Sequence, residues 1–497
     1  MSFAIVHSRA QVGIDAPRVA VETHLSNGLP AFNIVGLAQT AVKESKDRVR
    51  SALINSHFEF PASRITVNLA PADIPKHGGR YDLAIALGIL LASNQLPASC
   101  VIDSEFYGEL ALDGALRPVA GLFPALVQGS RDRKSLFIPK QNQSEAGLLT
   151  DSEVFAAAHL LELCAHLNGR EALSPVQQAK LLTAEKSLDF ADVRGQEQAK
   201  RVLELAAAGR HNLLFSGPPG TGKTMLASRL PSILPPLSQE QFLEVAALYS
   251  LVTPGHSLNL SSSPPFRAPH HSASTAALVG GGSTPRPGEI SLAHHGVLFL
   301  DELPEFPRNV IEVLREPMES GEIRIARASG QCRFPSQFQL VAARNPCPCG
   351  FDGDPKIQCR CTPDQIDRYN RKISGPLLDR IDIQLTVGRL STRELEATEA
   401  GIETSHQILD RVVRARTQQL SRSGCLNAYL NNDALKQHCA LEPKEQELLH
   451  NAGEQLNLSA RAYYKVLKVA RTIADLKGHQ NIGRAALLEA LAYRAPS

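Results

Sequence analysis

The spacing of apolar and polar residues changes along the chain, and each change marks a predicted domain boundary. Up to about residue 170, β-branched runs such as 65–69 and an apolar helical stretch at 83–91 stand between turn-rich loops. This pattern predicts an α+β domain for residues 1–170. Residues 171–188 are polar and contain Pro175 and paired glutamines, which is typical of a linker.

Residues 189–390 alternate short apolar runs at 212–215, 297–300 and 338–342 with helical patterns. The alternation favours a parallel sheet covered by helices on both faces, so the predicted fold class is α/β. Residues 391–497 differ from this pattern. Their segments 444–456, 459–476 and 482–493 have the period of amphipathic helices, which predicts a small helical lid.

Length and composition fit a protein of several packed domains. The 497 residues exceed a single compact core, and 43% hydrophobic and 21% charged residues are ordinary for a globular protein. The formal net charge of +2 gives no global sign of nucleic-acid binding, so any such site is local. The sequence opens without a basic region and apolar run, and it has no 18-residue apolar stretch. We therefore expect a cytoplasmic protein that makes no membrane contact.

A phosphate-binding loop follows the apolar run at 213–215 and opens a helix near Met225. It matches the pattern G-x-x-x-x-G-K-[ST], whose backbone N–H groups surround phosphate oxygens. Lys223 is expected to reach the β and γ phosphates, and the Thr224 hydroxyl to bind Mg²⁺. The alternative is a chance glycine-rich turn. The candidate ATP-binding residues are Gly217, Pro218, Pro219, Gly220, Thr221, Gly222, Lys223 and Thr224.

Two carboxylates follow the buried run at 297–300, where α/β sheets place ligands. Asp301 suits the Mg²⁺ shell, and Glu302 is the candidate to orient and deprotonate the attacking water. The alternative is a surface Asp-Glu pair that caps the next helix. A third apolar run ends at Asn345, whose amide could position water near the γ-phosphate, although Asn before Pro346 also commonly starts a turn.

Nine cysteines form an odd set, and four of them cluster. Four thiolates within fifteen residues suffice for a tetrahedral structural Zn²⁺. The C-x-C spacing is less common than C-x₂-C, so reduced free thiols in an exposed loop stay open as the alternative. The four candidate ligands are Cys347, Cys349, Cys359 and Cys361.

Residues 323–334 are predicted to form a β-hairpin with an arginine cluster. Arg324, Arg327 and Arg333 could contact phosphates, and Phe334 could stack on a base. Because the cluster is small, ordinary surface arginines are the alternative. A second insertion at 264–293 adds Arg267 as a candidate DNA contact. Its pair His270-His271 is more typical of a loop than of a metal site.

Several motifs in the same order resemble the magnesium-chelatase-like AAA+ proteins, and within them the ComM/YifB branch. The resemblance covers nearly the whole chain. It rests on segments 189–196, 217–224, 266–272, 300–306, 345–350, 374–382, 458–461 and 470–475.

The resemblance implies a homohexameric ring with ATP and Mg²⁺ bound between protomers. In that ring Asn345 is sensor 1, Arg380 is the arginine finger that enters the neighbour's site, and Arg461 is sensor 2 in the lid. Arg380 stands between two aspartates and could instead form a surface ion pair. Arg315 is a less certain interface residue. The family usually has an apolar residue where this chain has Arg344.

Segments 75–80 and 108–140 resemble the proteolytic domain of Lon. A Ser-Lys dyad needs a serine nucleophile in contact with a lysine base. The corresponding positions hold Arg80 and Phe123, so we expect an inactive domain and no peptidase activity.

The resemblance implies a DNA-translocating helicase that acts on single-stranded and branched DNA. Its expected role is branch migration while single-stranded DNA integrates during natural transformation and recombination. The alternative is a chelatase-like or chaperone-like ATPase that remodels a protein partner. We expect an isolated protein to be monomeric if ring closure requires ATP and DNA.

Overall fold

The structure is a computed structural model. It describes residues 3–36, 42, 44–150, 152–179, 188–253, 261–282, 285–327, 330–391 and 403–494. The side chain of Arg327 and residues 180–187 of the predicted linker lie outside the described part.

The first part of the chain forms a mixed seven-stranded sheet in the order β3-β4-β2-β1-β5-β8-β9, with β6 and β7 as a separate short pair. The strands are β1 (Phe3–Arg9), β2 (Arg18–Ser26), β3 (Ala31–Val35), β4 (Arg64–Ala70), β5 (Ser104–Phe106), β6 (Glu109–Leu110), β7 (Leu116–Arg117), β8 (Ser135–Pro139) and β9 (Val154–Ala157). The helices are α1 (Ser45–Asn55), α2 (Asp82–Ala92), α3 (Phe123–Arg131), α4 (Gln143–Ala146) and α5 (Leu160–Leu167). Every residue of α2 is buried, as its uninterrupted apolar sequence indicates.

A second, all-parallel sheet has the order β11-β14-β17-β10-β18. The strands of this part are β10 (Leu213–Ser216), β11 (Phe266–Arg267), β12 (Gly280–Gly281), β13 (Arg286–Pro287), β14 (Val297–Leu300), β15 (Glu322–Arg327), β16 (Gly330–Pro335), β17 (Gln339–Arg344) and β18 (Ile383–Thr386). The pairs β12/β13 and β15/β16 are antiparallel hairpins outside the sheet. All five strand ends of the sheet therefore point the same way, which gathers the following loops at one edge.

Helices cover both faces of the parallel sheet, because successive strand residues such as Leu213 and Leu214 enter different core clusters. They are α6 (Glu197–Gly209), α7 (Lys223–Arg229), α8 (Gln239–Val252), α9 (Thr275–Val279), α10 (Glu289–Leu292), α11 (Arg308–Val313), α12 (Arg315–Ser320), α13 (Pro363–Asn370) and α14 (Gly375–Leu378). Short 3-10 turns occur at Ala98–Val101, Lys140–Asn142, Phe190–Asp192, Leu230–Ile233, Leu303–Glu305 and Asn427–Tyr429.

The C-terminal part is helical, as its periodicity predicts. Its helices are α15 (Ser405–Ser423), α16 (Asn432–His438), α17 (Pro443–Gln455), α18 (Ala460–Leu476) and α19 (Arg484–Ala492). A capping box between Thr404 and Gln407 begins α15, and Ser459 caps α18. Residues of α18, among them Val466 and Ile473, share one core with Phe215 of the parallel sheet.

The two sheets are connected by a fourth core cluster. Leu126 of α3 and Phe242 of α8 belong to it, and both are buried. Ile14 packs against this cluster and also against the cluster beneath the β15/β16 hairpin. Within the described ranges, no helix combines the length and apolar character needed to cross a membrane.

Candidate functional site

The phosphate loop lies between β10 and α7, at the edge where the parallel strands end. A Cβ on Gly217 would stand 2.3 Å from the carbonyl oxygen of Val387, so only glycine allows the loop to leave the sheet here. Gly222 has φ +86°, a left-handed conformation, directly before α7 begins at Lys223. Sequence and structure therefore agree on a strand, a glycine-rich loop and a helix N-terminus in succession.

Lys223 connects the loop to the neighbouring strand. Its Nζ donates to the carbonyl oxygens of Gly217 (2.7 Å) and Pro218 (2.9 Å) and to Oδ1 of Asn345 (3.2 Å). Burial lowers the pKa of Lys223, and the carboxylates of Asp301 and Glu302 oppose that shift. The structure thus brings Asn345 to the phosphate loop, where the candidate sensor 1 is expected.

Asp301 and Glu302 follow β14 at the same edge. The Thr224 hydroxyl donates to Oδ2 of Asp301 at 2.5 Å, and the Glu302 backbone N–H donates to Oδ1 at 2.9 Å. Glu302 has φ +50°, and its Oε2 is 3.5 Å from Nδ1 of His271. The turn separates the two carboxylates, so that one faces Thr224 and the other faces the 264–293 insertion.

These residues fit a magnesium–nucleotide complex. A hydroxyl and a carboxylate in contact are hard oxygen ligands of the kind Mg²⁺ prefers. A Cβ placed on Gly220 would meet nothing within 4 Å, so the loop borders open space where phosphates would lie. Lys223 brings positive charge to that space, and the N-terminus of α7 adds its dipole.

The four clustered cysteines converge beside the phosphate loop. The Sγ atom of Cys347 lies 3.4 Å from Sγ of Cys349 and 3.7 Å from Sγ of Cys359. The Sγ atoms of Cys349 and Cys359 are 3.6 Å apart. A tetrahedral Zn²⁺ with Zn–S bonds of about 2.3 Å places its sulfurs about 3.8 Å apart. Cys361 completes the group, since all four ligand atoms lie within 4.8 Å of one another. The geometry fits a structural zinc ion.

The cysteine loop also contacts the phosphate loop directly. A Cβ on Gly350 would stand 2.7 Å from Cδ of Pro219. Backbone N–H groups of Arg360 and Phe351 lower the pKa of Cys349 to about 6, which favours the thiolate that a metal requires. A rigid cysteine loop would therefore help to fix the position of the phosphate loop.

Arg344 ends β17, where the resembled family usually has an apolar residue. Its carbonyl oxygen accepts the N–H of Gly217 at 3.2 Å, so the backbone of the strand end still supports the phosphate loop. Burial lowers the pKa of the Arg344 guanidinium, and its Nε has no partner in the described part of the chain. The unusual side chain thus leaves the Lys223–Asn345 contact in place.

Arg380 does not lie at the phosphate loop. Arg380 stands before β18, and its carbonyl oxygen accepts from the Asn212 side chain at the opposite end of β10. Its guanidinium binds Glu319 and the carbonyl oxygen of Pro376, and its side chain is only 12% exposed. Arg461 is exposed, one helical turn before Lys465, whose Nζ is 2.7 Å from Asp382 at the same edge. The structure therefore places Arg380 at the edge of the sheet opposite its own phosphate loop.

The β15/β16 hairpin places two arginines directly opposite each other. Arg324 pairs with Arg333 in the register, both are exposed, and Nε of Arg324 donates to Glu322 at 2.6 Å. Like charges in such cross-strand positions repel, so the hairpin presents a basic face. Arg324 and Arg267 each pair with a carboxylate, Glu322 and Glu289, but Arg267 is less available because its side chain is 32% exposed against 50% for Arg324.

The prediction that Phe334 stacks on a base is wrong. Its side chain is fully buried in the core beneath the hairpin, together with Ile323 and Ile325. Its ring also contacts the backbone at Gly13, where a Cβ would stand 3.4 Å from Cε1. Hairpin alternation explains the burial, because Phe334 is opposite Ile323 and shares the inward face.

A second metal-like cluster, formed by Glu244, His294 and His295, has hydrogen-bond roles that do not suit a metal. Oε2 of Glu244 lies 3.0 Å from Nε2 of His294 and 2.8 Å from Nε2 of His295. Nδ1 of His294 accepts the Gln337 N–H at 3.0 Å, so the proton of the neutral ring is on Nε2. Burial lowers the pKa of His294 to about 4, and this nitrogen therefore donates to Glu244 and has no lone pair for a cation.

Sequence reasoning assigned no role to Gln196, which contacts the phosphate loop. Its Nε2 donates to the carbonyl oxygens of Gly388 at 3.0 Å and Thr221 at 3.5 Å. Its left-handed backbone, with φ +58°, turns the chain into α6. The motif at 189–196 was part of the resemblance, but nothing in its composition indicated this contact.

Comparisons with known proteins match the N-terminal part, the parallel-sheet part and the helical C-terminal part of the chain in that order. Three family profiles match: "Magnesium chelatase, subunit ChlI" at residues 189–395, "Subunit ChlI of Mg-chelatase" at 21–142 and "Magnesium chelatase, subunit ChlI C-terminal" at 402–494. The competence protein ComM of Haemophilus influenzae is 51% identical, over 100% of this chain and 98% of its own length. The Escherichia coli protein YifB is 49% identical, over 100% and 97%.

Proposed function

The chain belongs to the ComM/YifB family of magnesium-chelatase-like AAA+ ATPases, and from that premise we propose that it is a ring-forming, ATP-driven DNA motor. The proposed activity is that of a hexameric helicase that promotes branch migration of integrating single-stranded DNA. The name of the Haemophilus relative, a competence protein, supports a role in natural transformation.

The separation of the candidate catalytic residues into two groups supports the ring most strongly. Lys223, Asp301 and Asn345 lie where the parallel strands end, whereas Arg380 lies where they begin. An arginine that stabilises charge on a transferred phosphoryl group must reach it directly. Arg380 therefore acts on a nucleotide held by a neighbouring subunit, which makes hydrolysis depend on assembly. Arg461 is proposed as sensor 2 in the lid, on the resemblance.

Within one site, each residue has a distinct role. Thr224 and Asp301 hold the metal, and Lys223 neutralises phosphate charge. Glu302 takes a proton from the attacking water, and Asn345 orients that water. Bound Mg-ATP supplies the phosphoanhydride whose cleavage drives movement. His271 is placed to restrain the Glu302 carboxylate before the nucleotide and the neighbour are in position.

The basic face of the hairpin supports DNA as the polymer. Arg324 and Arg333 present two guanidinium groups on adjacent strands, a spacing suited to successive backbone phosphates. Because Arg267 is engaged by Glu289, we assign it a secondary role. Arg327 stays in the proposal on sequence grounds, since its side chain lies outside the described part.

The division of the chain is proposed as follows: a Lon-protease-like domain at 1–170, a linker at 171–188, the AAA+ core at 189–390 and a helical lid at 391–497. We propose that the first domain has no peptidase activity. Arg80 and Phe123 occupy the dyad positions, and both are buried, at 6% and 0% exposure. Neither side chain can serve as nucleophile or base.

We also propose that the four cysteines bind one structural zinc ion. The spacing of the sulfur atoms supports this assignment. The contact between Gly350 and Pro219 gives the ion an indirect role, because it would hold the cysteine loop against the phosphate loop.

Remodelling of a protein partner is the second candidate function. The family profiles carry the magnesium-chelatase name, which favours it. The burial of Phe334 does not distinguish the two candidates. On the outward face of the described hairpin strands, 322–327 and 330–335, no aromatic side chain is left either to stack on a base or to hold a peptide.

The test is ATP hydrolysis with and without single-stranded DNA. We expect DNA to stimulate the natural protein and to stimulate Arg324→Ala/Arg333→Ala much less, with basal turnover retained. Glu302→Gln serves as the blank, and Arg484→Ala, which removes an exposed arginine at the start of α19, is the matched control. Basal turnover without stimulation by any DNA would favour the protein-remodelling ATPase instead.

A further inference from the structure

A cleft of about 520 Å³ lies where three parts of the chain meet. One wall is the base of the β15/β16 hairpin, at 317–321 and 336–338. The second wall carries Arg380 and Asp382, and the third is formed by the C-terminal helices around Tyr429 and Lys468.

The cleft carries excess positive charge. Its lining includes four cationic side chains, Arg210, Arg380, Lys465 and Lys468, but only two carboxylates. Glu319 binds Arg380, and Asp382 binds Lys465. Lys468 donates to the carbonyl oxygen of Ala428 at 2.9 Å and forms no ion pair within the described residues.

A further cation lies behind the lining. Nε and Nη2 of Arg416 donate to the Ala207 carbonyl oxygen at 2.9 and 2.7 Å, at the C-terminal end of α6. Burial and the nearby Arg210 lower the pKa of Arg416 to about 9. Burial also lowers the pKa of Lys468. These positively charged side chains repel one another, and an anion bound among them would reduce that electrostatic repulsion.

The cleft is out of reach of the chain's own nucleotide. Asn212, which lines it, directly precedes β10, whereas Gly217 begins the phosphate loop after β10. Five residues of extended chain separate them, about 16 Å. A phosphate group that binds in the cleft would therefore have to come from another molecule.

We infer that this cleft binds phosphate groups of the nucleotide held by a second copy of the chain, with Lys468 as a phosphate-contacting cation beside Arg380. The inference rests on the proposed ring and extends it. Arg380 must exchange Glu319 for phosphate when the neighbour docks, and Lys465 stays with Asp382. Lys468 has only a carbonyl oxygen to leave, whereas Arg210 donates to the Gln337 carbonyl oxygen and also lies over the Tyr429 ring, so Lys468 is the cation most readily transferred to the incoming anion.

The first test compares variants of one helix. We expect Lys468→Met to lower ATP turnover at saturating DNA by about a hundredfold or more, the size typical for loss of one charge-stabilising donor. Lys468→Arg keeps the charge and should retain most of the activity. Lys477→Met is the control, because Lys477 ends the same helix outside the cleft and pairs with Glu489. Full activity of Lys468→Met would overturn the inference.

Subunit mixing separates action on a neighbour from a folding defect. Glu302→Gln has an intact cleft but a nucleotide site that cannot hydrolyse ATP. Lys468→Met has an intact nucleotide site but a defective cleft. Mixed in equal amounts, they should recover about a quarter of natural activity, because one ring interface in four joins a live site to an intact cleft. No recovery would overturn the inference.

The same mixture with Arg380→Ala in place of Lys468→Met tests the proposed function itself. If that pair also fails to recover, the shared site between subunits is wrong. If it recovers and the Lys468→Met pair does not, only the role of the cleft is wrong. Weaker binding of single-stranded DNA with unchanged basal turnover in Lys468→Met would assign the phosphate to DNA and overturn the nucleotide assignment.

Discussion

Acid should weaken the junction between the phosphate-loop strand and the C-terminal helices, because a neutral histidine is buried there. His211 precedes β10 and is fully buried, with Nε2 2.7 Å from the Thr472 hydroxyl of α18 and Nδ1 3.9 Å from Asp382. Burial lowers the pKa of His211 from 6.5 to about 4; Asp382 opposes the shift, and Lys468 and Lys465 add to it. The unfolded chain therefore binds a proton at this residue at a higher pH than the folded chain does.

The free energy of unfolding should consequently fall as the pH drops from about 6.5 towards 4, and the loss ends below the folded pKa. Each pKa unit corresponds to about 1.4 kcal/mol, so between pH 7 and pH 5 this histidine should cost the fold about 2 kcal/mol. We would measure urea unfolding of the natural protein and of His211→Gln at both pH values. The variant lacks the hydrogen bond to Thr472 at either pH. Its free energy of unfolding should nevertheless fall by about 2 kcal/mol less between about pH 7 and pH 5 than that of the natural protein.

His24→Gln is the control, because His24 is exposed on β2. Burial also lowers the pKa of His294 to about 4, and its contribution cancels in the comparison because both proteins retain it. Equal losses for the natural protein and His211→Gln would refute the reasoning that burial keeps this ring neutral.

Three other predictions address separate parts of the molecule. The purified protein should contain one zinc per chain by elemental analysis, and Cys359→Ser should lose the zinc and bind ATP more weakly; full ATP affinity without zinc would contradict the proposed support of the phosphate loop. Phe334→Ala should destabilise the fold by about 3–5 kcal/mol in urea unfolding, whereas Arg333→Ala should change it by less than about 0.5 kcal/mol and weaken DNA binding; an unaltered stability of Phe334→Ala would be inconsistent with its burial. In sedimentation at low concentration, Glu302→Gln should be monomeric alone and hexameric with ATP and single-stranded DNA; a stable hexamer without ligands would rule out ligand-driven closure.

The nucleotide site was predictable because its parts follow buried strands. The phosphate loop is continuous in sequence, and its strand and helix flank it as the motif requires. Asn345 is 122 residues from Lys223, yet their contact followed from the rule that parallel strands end at one edge. The roles assigned to these residues remain predictions until activity is measured.

The sequence did not reveal contacts between segments far apart in the chain. Phe334 looked available because it follows Arg333 in an arginine-containing hairpin, but its core includes Ile14 and a backbone contact at Gly13, some three hundred residues away. Helix α15 (Ser405–Ser423) was not predicted either. Its buried face includes Gln419, whose side chain accepts the Asn427 N–H, so the apolar period is interrupted.

The ion pair that holds Arg380 was also beyond sequence reasoning. The motif around Arg380 indicated an arginine finger, but not that Glu319 holds it within the same subunit. That contact depends on how α12 and the segment before β18 pack, and neither segment alone encodes it. The same packing creates the cationic cleft, which only the assembled fold brings together.

The central claim is that ATP hydrolysis moves DNA strands, and a branch-migration assay tests it most directly. A three-stranded DNA junction with a labelled displaced strand would be incubated with the protein and Mg-ATP, and Glu302→Gln would serve as the hydrolysis-deficient comparison. We expect strand exchange that requires ATP and is abolished in Glu302→Gln and strongly reduced in Arg324→Ala/Arg333→Ala. Vigorous ATP hydrolysis without any movement of the labelled strand would contradict it.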